Sequence, residues 1–181
     1  MLYRRNCNKI QSLRMYSAGV TIIELLLAVF LVGGIVSALL GFSAFSIGTA
    51  GVLSQTAQAN AFVQEAVEAV RSFRDGIPWD QQDSGDEYDG LGQVAQGVPY
   101  HISMSGDTPP QWRLLAGAET IGIFTRTIVF ESARRDAADT IVESGGIADP
   151  NTKKVTVEVS WQERQRPHAI EIATYFTNWK Q

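Results

Sequence analysis

The chain has 181 residues, of which 45% are hydrophobic and 19% charged, with a net charge of −4. That length suits one folded domain with an appendage, and the composition excludes an intrinsically disordered chain. Four of the 15 basic residues and none of the 19 acidic ones fall in the first nineteen positions, which leaves 11 bases against 19 acids beyond them, a net of −8. An acidic body repels phosphate backbones, so no nucleic-acid partner is expected.

The chain opens with a basic leader, residues 1–19, containing Arg4, Arg5, Lys9 and Arg14. The only cysteine, Cys7, lies inside it, and no apolar stretch precedes that residue as a lipid-modified cysteine would require. Without the leader the chain has no thiol for a disulfide or a cysteine metal site.

From Val20 to Phe42 the sequence is apolar except for Thr21, Glu24 and Ser37. As a helix rising about 1.5 Å per residue, this segment reaches roughly 34 Å, enough to cross a bilayer core of about 30 Å. The basic leader then stays on the cytoplasmic side and everything after the span lies beyond the membrane. A cleaved secretory signal also begins basic and turns apolar, and the small residues near Ser43 and Ala44 keep that alternative open. Against it, this apolar run exceeds the usual core of about 7 to 15 residues and opens on a carboxylate.

That carboxylate, Glu24, needs a reason, because an ionised acid inside the apolar layer costs on the order of 3 kcal/mol unless it is paired. Snorkelling to the nearby membrane face is one answer. Another comes from the sequence Gly19-Val20-Thr21-Ile22-Ile23-Glu24-Leu25-Leu26-Leu27, which resembles the type III signal of type IV pilins and type II secretion pseudopilins. The resemblance implies cleavage by a prepilin peptidase between Gly19 and Val20, with methylation of the new amino terminus at Val20. Val20 stands where phenylalanine or methionine is commoner, and Ala18 where a basic residue is frequent. It further implies assembly through Glu24 and Thr21, the Glu24 carboxylate pairing with the new α-amine of a neighbouring subunit. An amine of ordinary pKa about 7.7 to 8.0 is charged for such a pairing, which offsets the desolvation of both groups.

No proline interrupts the stretch from Val20 to Pro78, so one helix is expected from Val20 to about Asp75. Gly33, Gly34, Gly41, Gly48 and Gly51 lie along it, suited to close helix packing or simply ordinary for a membrane helix. Beyond the span, residues 43–76 become amphipathic: Ala59, Phe62, Val63, Ala66, Val70 and Phe73 recur at steps of three and four and predict a stripe buried on a sheet. Gly76 and Pro78 stop the helix.

Residues 77–181 read as a β-rich head. The stretch from Asp80 to Gly92 is acidic and turn-rich, and its spacing does not match a calcium loop, so a solvated loop is expected. Strands are predicted over Val98–Ser103, Trp112–Leu115, Ile121–Glu131, Lys154–Gln162 and Ala169–Thr177. In the fourth, Val155, Val157, Val159 and Trp161 alternate with Thr156, Glu158 and Ser160. Between Ser132 and Lys153 a long connection is expected, with turns at Gly145-Gly146 and Asp149-Pro150-Asn151. A helix followed by a strand meander gives an α+β fold, the long helix packed on an antiparallel sheet.

The head also resembles a subgroup of minor pilins known as prepilin-type cleavage/methylation or pilus modification proteins. The matching residues are Gln64 to Arg71 with Arg74-Asp75, Phe124 to Ile128, Lys153 to Trp161 and Tyr175 to Trp179. The expected partners are thus the prepilin peptidase, other pilin or pseudopilin subunits, the filament assembly platform and the membrane. The expected location is the bacterial cytoplasmic membrane, crossed once, and then the filament.

No enzyme is expected, and neither a cofactor nor a metal. His101 and His168 lack a partner at metal-ligand spacing and read as surface or edge residues, and no nucleophile elbow or phosphate loop occurs. Trp112, Trp161, Tyr175 and Trp179 suit core and sheet-face packing better than an adhesive patch. The competing function is a membrane-anchored binding or hydrolase domain whose span is an uncleaved tether.

Overall fold

Long runs without proline or charge favour a continuous helix, and in the computed structural model α1 covers Ile22–Gly76, 55 residues. Residues 19–163 and 165–179 are described; the leader positions 1–18, with Cys7 and the four basic residues, lie outside them. The chain divides into two units, one ending at Gly48 and the other beginning at Thr49.

In the first unit, α1 is apolar enough and long enough to cross a membrane, and none of the apolar window is covered by the rest of the chain. Every large hydrophobic residue from Ile22 to Ile47 is exposed.

In the second unit the helix has a job in the core. Ala59, Val63, Ala66, Ala69, Val70 and Phe73 are buried, with Phe62 partly so, which is the stripe that the three- and four-residue spacing predicts. They cover the sheet formed by β1 (Pro99–Met104), β2 (Trp112–Ala116), β3 (Glu119–Ile121), β4 (Phe124–Arg135), β5 (Ile141–Val142), β6 (Ile147–Glu163) and β7 (Arg166–Thr177). All pairings are antiparallel, in the order β2-β1-β4-β6-β7, with β3 and β5 also on β4. Phe124, Ile128 and Phe130 of β4 and Val155, Val157, Val159 and Trp161 of β6 form the buried face. Burying each such side chain contributes about 2 kcal/mol.

Four expectations need correction. The order is not a simple meander, because the chain passes from β2 beyond β1 before β4 pairs with β1's other side. The strand expected over Ile121–Glu131 is broken by a two-residue turn: Ile121 pairs with Phe124, and Gly122 takes the positive φ (62°) that such a hairpin turn requires.

The connection from Ser132 to Lys153 is a ribbon rather than a loop. β4 runs on to Arg135, a turn over Asp136–Thr140 returns the chain along β5, and a second turn at Gly145 and Gly146, whose φ values are 75° and 64°, leads into β6 at Ile147. Arg134 Nη2 donates to the Gly146 carbonyl at 2.9 Å and Arg135 Nε to Asp149 at 2.8 Å. The ribbon has polar residues on both faces and lacks the alternation by which a half-buried strand is read. Asp149-Pro150-Asn151 is no turn but an irregularity within β6, opposite the register shift between Ser132 and Arg134.

The fourth correction is the acidic stretch, which is turn-rich but not merely solvated. Leu91 enters the core from within it and Trp79 and Val94 from its two flanks, and the Trp79 Nε1–H donates to the Pro150 carbonyl at 3.1 Å. The acids around these residues hide their role in the sequence.

Candidate functional site

At the start of α1 the local hydrogen bonds assign Thr21 a definite task. Its carbonyl accepts from the amides of Glu24 and Leu25, each at 3.1 Å, and its Oγ1 lies 3.4 Å from the Glu24 amide. Thr21 is therefore the N-cap of α1, and Glu24 occupies the third helical position. Thr-x-x-Glu is the capping-box pattern, and a carboxylate in the first turn also faces the positive pole of the helix. The T-x-x-E spacing carries this signal in the sequence. Gly19, Val20, Thr21 and Glu24 are all exposed, and a Cβ added at Gly19 meets nothing within 4 Å. The four residues lie within one stretch of six, with Gly19 and Val20 directly before the helix cap.

The second unit contains buried charge that the sequence reading did not single out. Arg126, 4% exposed, lies among apolar residues on the core face of β4. The β3–β4 hairpin sets Glu119 opposite it, so that Arg126 Nε donates to Glu119 at 3.1 Å, while Nη1 donates to Glu65 of α1 at 3.0 Å. This triad joins helix to sheet. Lys153, 4% exposed, shares the face of Val155, Val157 and Val159, and burial pushes its amine below the ordinary lysine value. For Asp149, burial alone would raise the carboxyl, but hydrogen bonds with Thr152, Arg135 and the Asn151 amide outweigh it and hold the group below the usual range.

The two histidines take up ordinary contacts. His101 Nδ1 lies 3.2 Å from the Gly117 carbonyl, and His168, on edge strand β7, stacks on Trp161 with ring centroids 5.3 Å apart. Among the described residues no three or more of His, Cys, Asp and Glu are grouped to hold a metal ion. The four aromatic residues divide: Trp161 is in the core and Trp112 packs against it, whereas Tyr175 and Trp179 are exposed. The core expectation is thus corrected for Trp179, which follows the end of β7 and is 61% exposed.

Comparison with family models, curated proteins and solved structures finds no significant match to this chain.

Proposed function

We propose that this chain is a minor pilin or pseudopilin, a structural subunit of a type IV pilus or type II secretion-like filament. One observation carries the reading: a helix with an uncovered apolar first half begins, just after Gly19-Val20, with a threonine cap and a lone carboxylate. The second unit supports it, since the same helix continues into a half whose buried stripe packs on an antiparallel sheet. In this reading the prepilin peptidase cuts between Gly19 and Val20, the amine of Val20 is methylated, and helices assemble side by side. Glu24 then pairs with a neighbour's α-amine, while Thr21 keeps the helix start in the geometry that presents it.

The test co-expresses variants with the prepilin peptidase and measures intact mass, together with the subunit content of sheared filaments. Native protein should begin at a methylated Val20. Gly19→Val should accumulate as uncut precursor, and since Gly19 has open space around it the block belongs to the peptidase rather than to the fold. Glu24→Ala should be cut and stay in the membrane but be depleted from filaments. Glu24→Gln removes the charge while sparing the capping geometry, and it should be depleted as strongly. A mature chain starting elsewhere, or an uncut chain as the working form, would favour the tethered-domain reading; normal incorporation of Glu24→Gln would end the pairing role.

A further inference from the structure

The end of α1 and the residues after β7 border a cavity of about 710 Å³, lined by Arg74, Gly76 to Gln81 and Thr177 to Trp179. Trp179 is 61% exposed there, yet its indole is held in place. Its Nε1–H donates to Asp75 Oδ1 at 3.2 Å, and the same oxygen accepts from Arg74 Nε at 2.9 Å. The Arg74 guanidinium in turn sits 5.3 Å from the ring centroid of Phe176, a core residue. A connected chain of contacts thus runs from the buried Phe176 ring to an indole in solvent. It fixes orientation without burial, as a stacking platform requires.

The remaining wall is formed by Asp80, Gln81, Thr177 and Asn178, residues that carry carboxylate, amide and hydroxyl groups. Asn178 is itself held, its Nδ2 donating to Asn151 Oδ1 at 3.3 Å and its backbone amide to the Asn151 carbonyl at 2.8 Å. A flat apolar surface beside a ring of carboxylate, amide and hydroxyl groups matches a pyranose, which offers a face of C–H groups and a rim of hydroxyls. An anionic ligand would need a cation, and Arg74, the cation of the described lining, is already engaged by Asp75 while Asp80 adds negative charge.

We propose that this cavity is a binding subsite for an uncharged saccharide, with Trp179 as the stacking platform and Asp80, Gln81 and Asn178 as partners for its hydroxyls. The proposal stands apart from filament assembly, which concerns the other end of α1. The experiment titrates the full chain, in a detergent without a sugar headgroup, with cellotriose, maltotriose and triacetylchitotriose, using sialyllactose as the charged comparison. Tryptophan fluorescence and saturation-transfer NMR report binding. At least one neutral trisaccharide should bind with a dissociation constant of about 1 mM, and sialyllactose about tenfold more weakly. Trp179→Ala should abolish binding with the melting temperature unchanged, Trp179→Phe should retain part of it, and Ile123→Ala, a change at another exposed site, should retain all of it. No binding of any neutral trisaccharide up to about 10 mM, full binding by Trp179→Ala, or equal binding of sialyllactose would each overturn the proposal.

Discussion

Lys153 and Arg126 are both cations on the core face of the sheet, and their partners set them apart. Arg126 faces two carboxylates, whereas burial is the one influence that moves Lys153, lowering its amine from 10.5. Below the lowered value Lys153 is charged in both folded and unfolded chains, and the penalty of burying the ammonium is fully present. As pH rises through that value towards 10.5, the folded chain releases its proton first and stability increases. Lys153→Met should therefore raise the melting temperature at pH 7 by about 3 °C, and the advantage should shrink as pH approaches that of free lysine. A pH series of thermal melts reads both effects, and a gain independent of pH would mean that packing rather than charge was the cause. Arg126→Ala should destabilise by about 2 kcal/mol, because it empties a buried position on the core face and removes the bonds to the partly exposed Glu119 and Glu65. Glu65→Gln, at a side chain 49% exposed, should cost about 0.5 kcal/mol, and urea titration of the two variants reads the difference. Both cations were visible in the sequence only as charged residues at positions of the apolar alternation. Their different surroundings depend on a hairpin register and on a helix residue 61 positions away, neither of which local periodicity encodes.

At the scale of elements, legibility followed amphipathicity. The helix stripe and the alternation of β6 each have one face in the core, and each was readable from spacing alone. The ribbon of β4, β5 and the start of β6 has no such contrast, and its strands are defined by backbone pairing and by arginines on carbonyl and carboxylate groups. The stretch after the helix is obscured for the opposite reason, because its acids outnumber Leu91 within it and the flanking Trp79 and Val94 that anchor it. A tight approach holds it: a Cβ at Gly90 would overlap the carbonyl oxygens of Pro78 and Trp79. Gly90→Ala should thus cost about 2 kcal/mol by chemical denaturation, whereas Gly106→Ala, in open space, should be close to neutral. Equal effects would show that the stretch yields without strain. At the α1 start, the spacing of Thr21 and Glu24 encodes the cap that the Thr21 carbonyl and hydroxyl form.

At the scale of the whole molecule, the division at Gly48 and Thr49 predicts where the chain can be cut. A fragment from Thr49 to Gln181 retains the buried helix stripe and Gln55, whose Oε1 accepts the Trp161 indole N–H at 3.1 Å. It should be soluble and monomeric, with helix and strand signals in circular dichroism and a single cooperative melt. A fragment beginning at Ala66 loses Ala59, Val63 and the Arg126–Glu65 contact, and it should aggregate. A soluble, cooperatively melting Ala66 fragment would show that the sheet folds without the first half of the stripe.

The uncovered half of α1 has a consequence for how the gene can change. Between Ile22 and Ile47 no side chain is buried against another part of the chain, so exchanging one apolar residue for another there leaves the subunit's own core as it was. Packing within the described core therefore places no demand on the shape of those side chains. The stripe from Ala59 to Phe73 answers to its own sheet, where a lost methyl group leaves a void. One continuous helix is therefore expected to tolerate apolar exchanges differently along its length, freely before Ile47 and sparingly from Ala59 to Phe73.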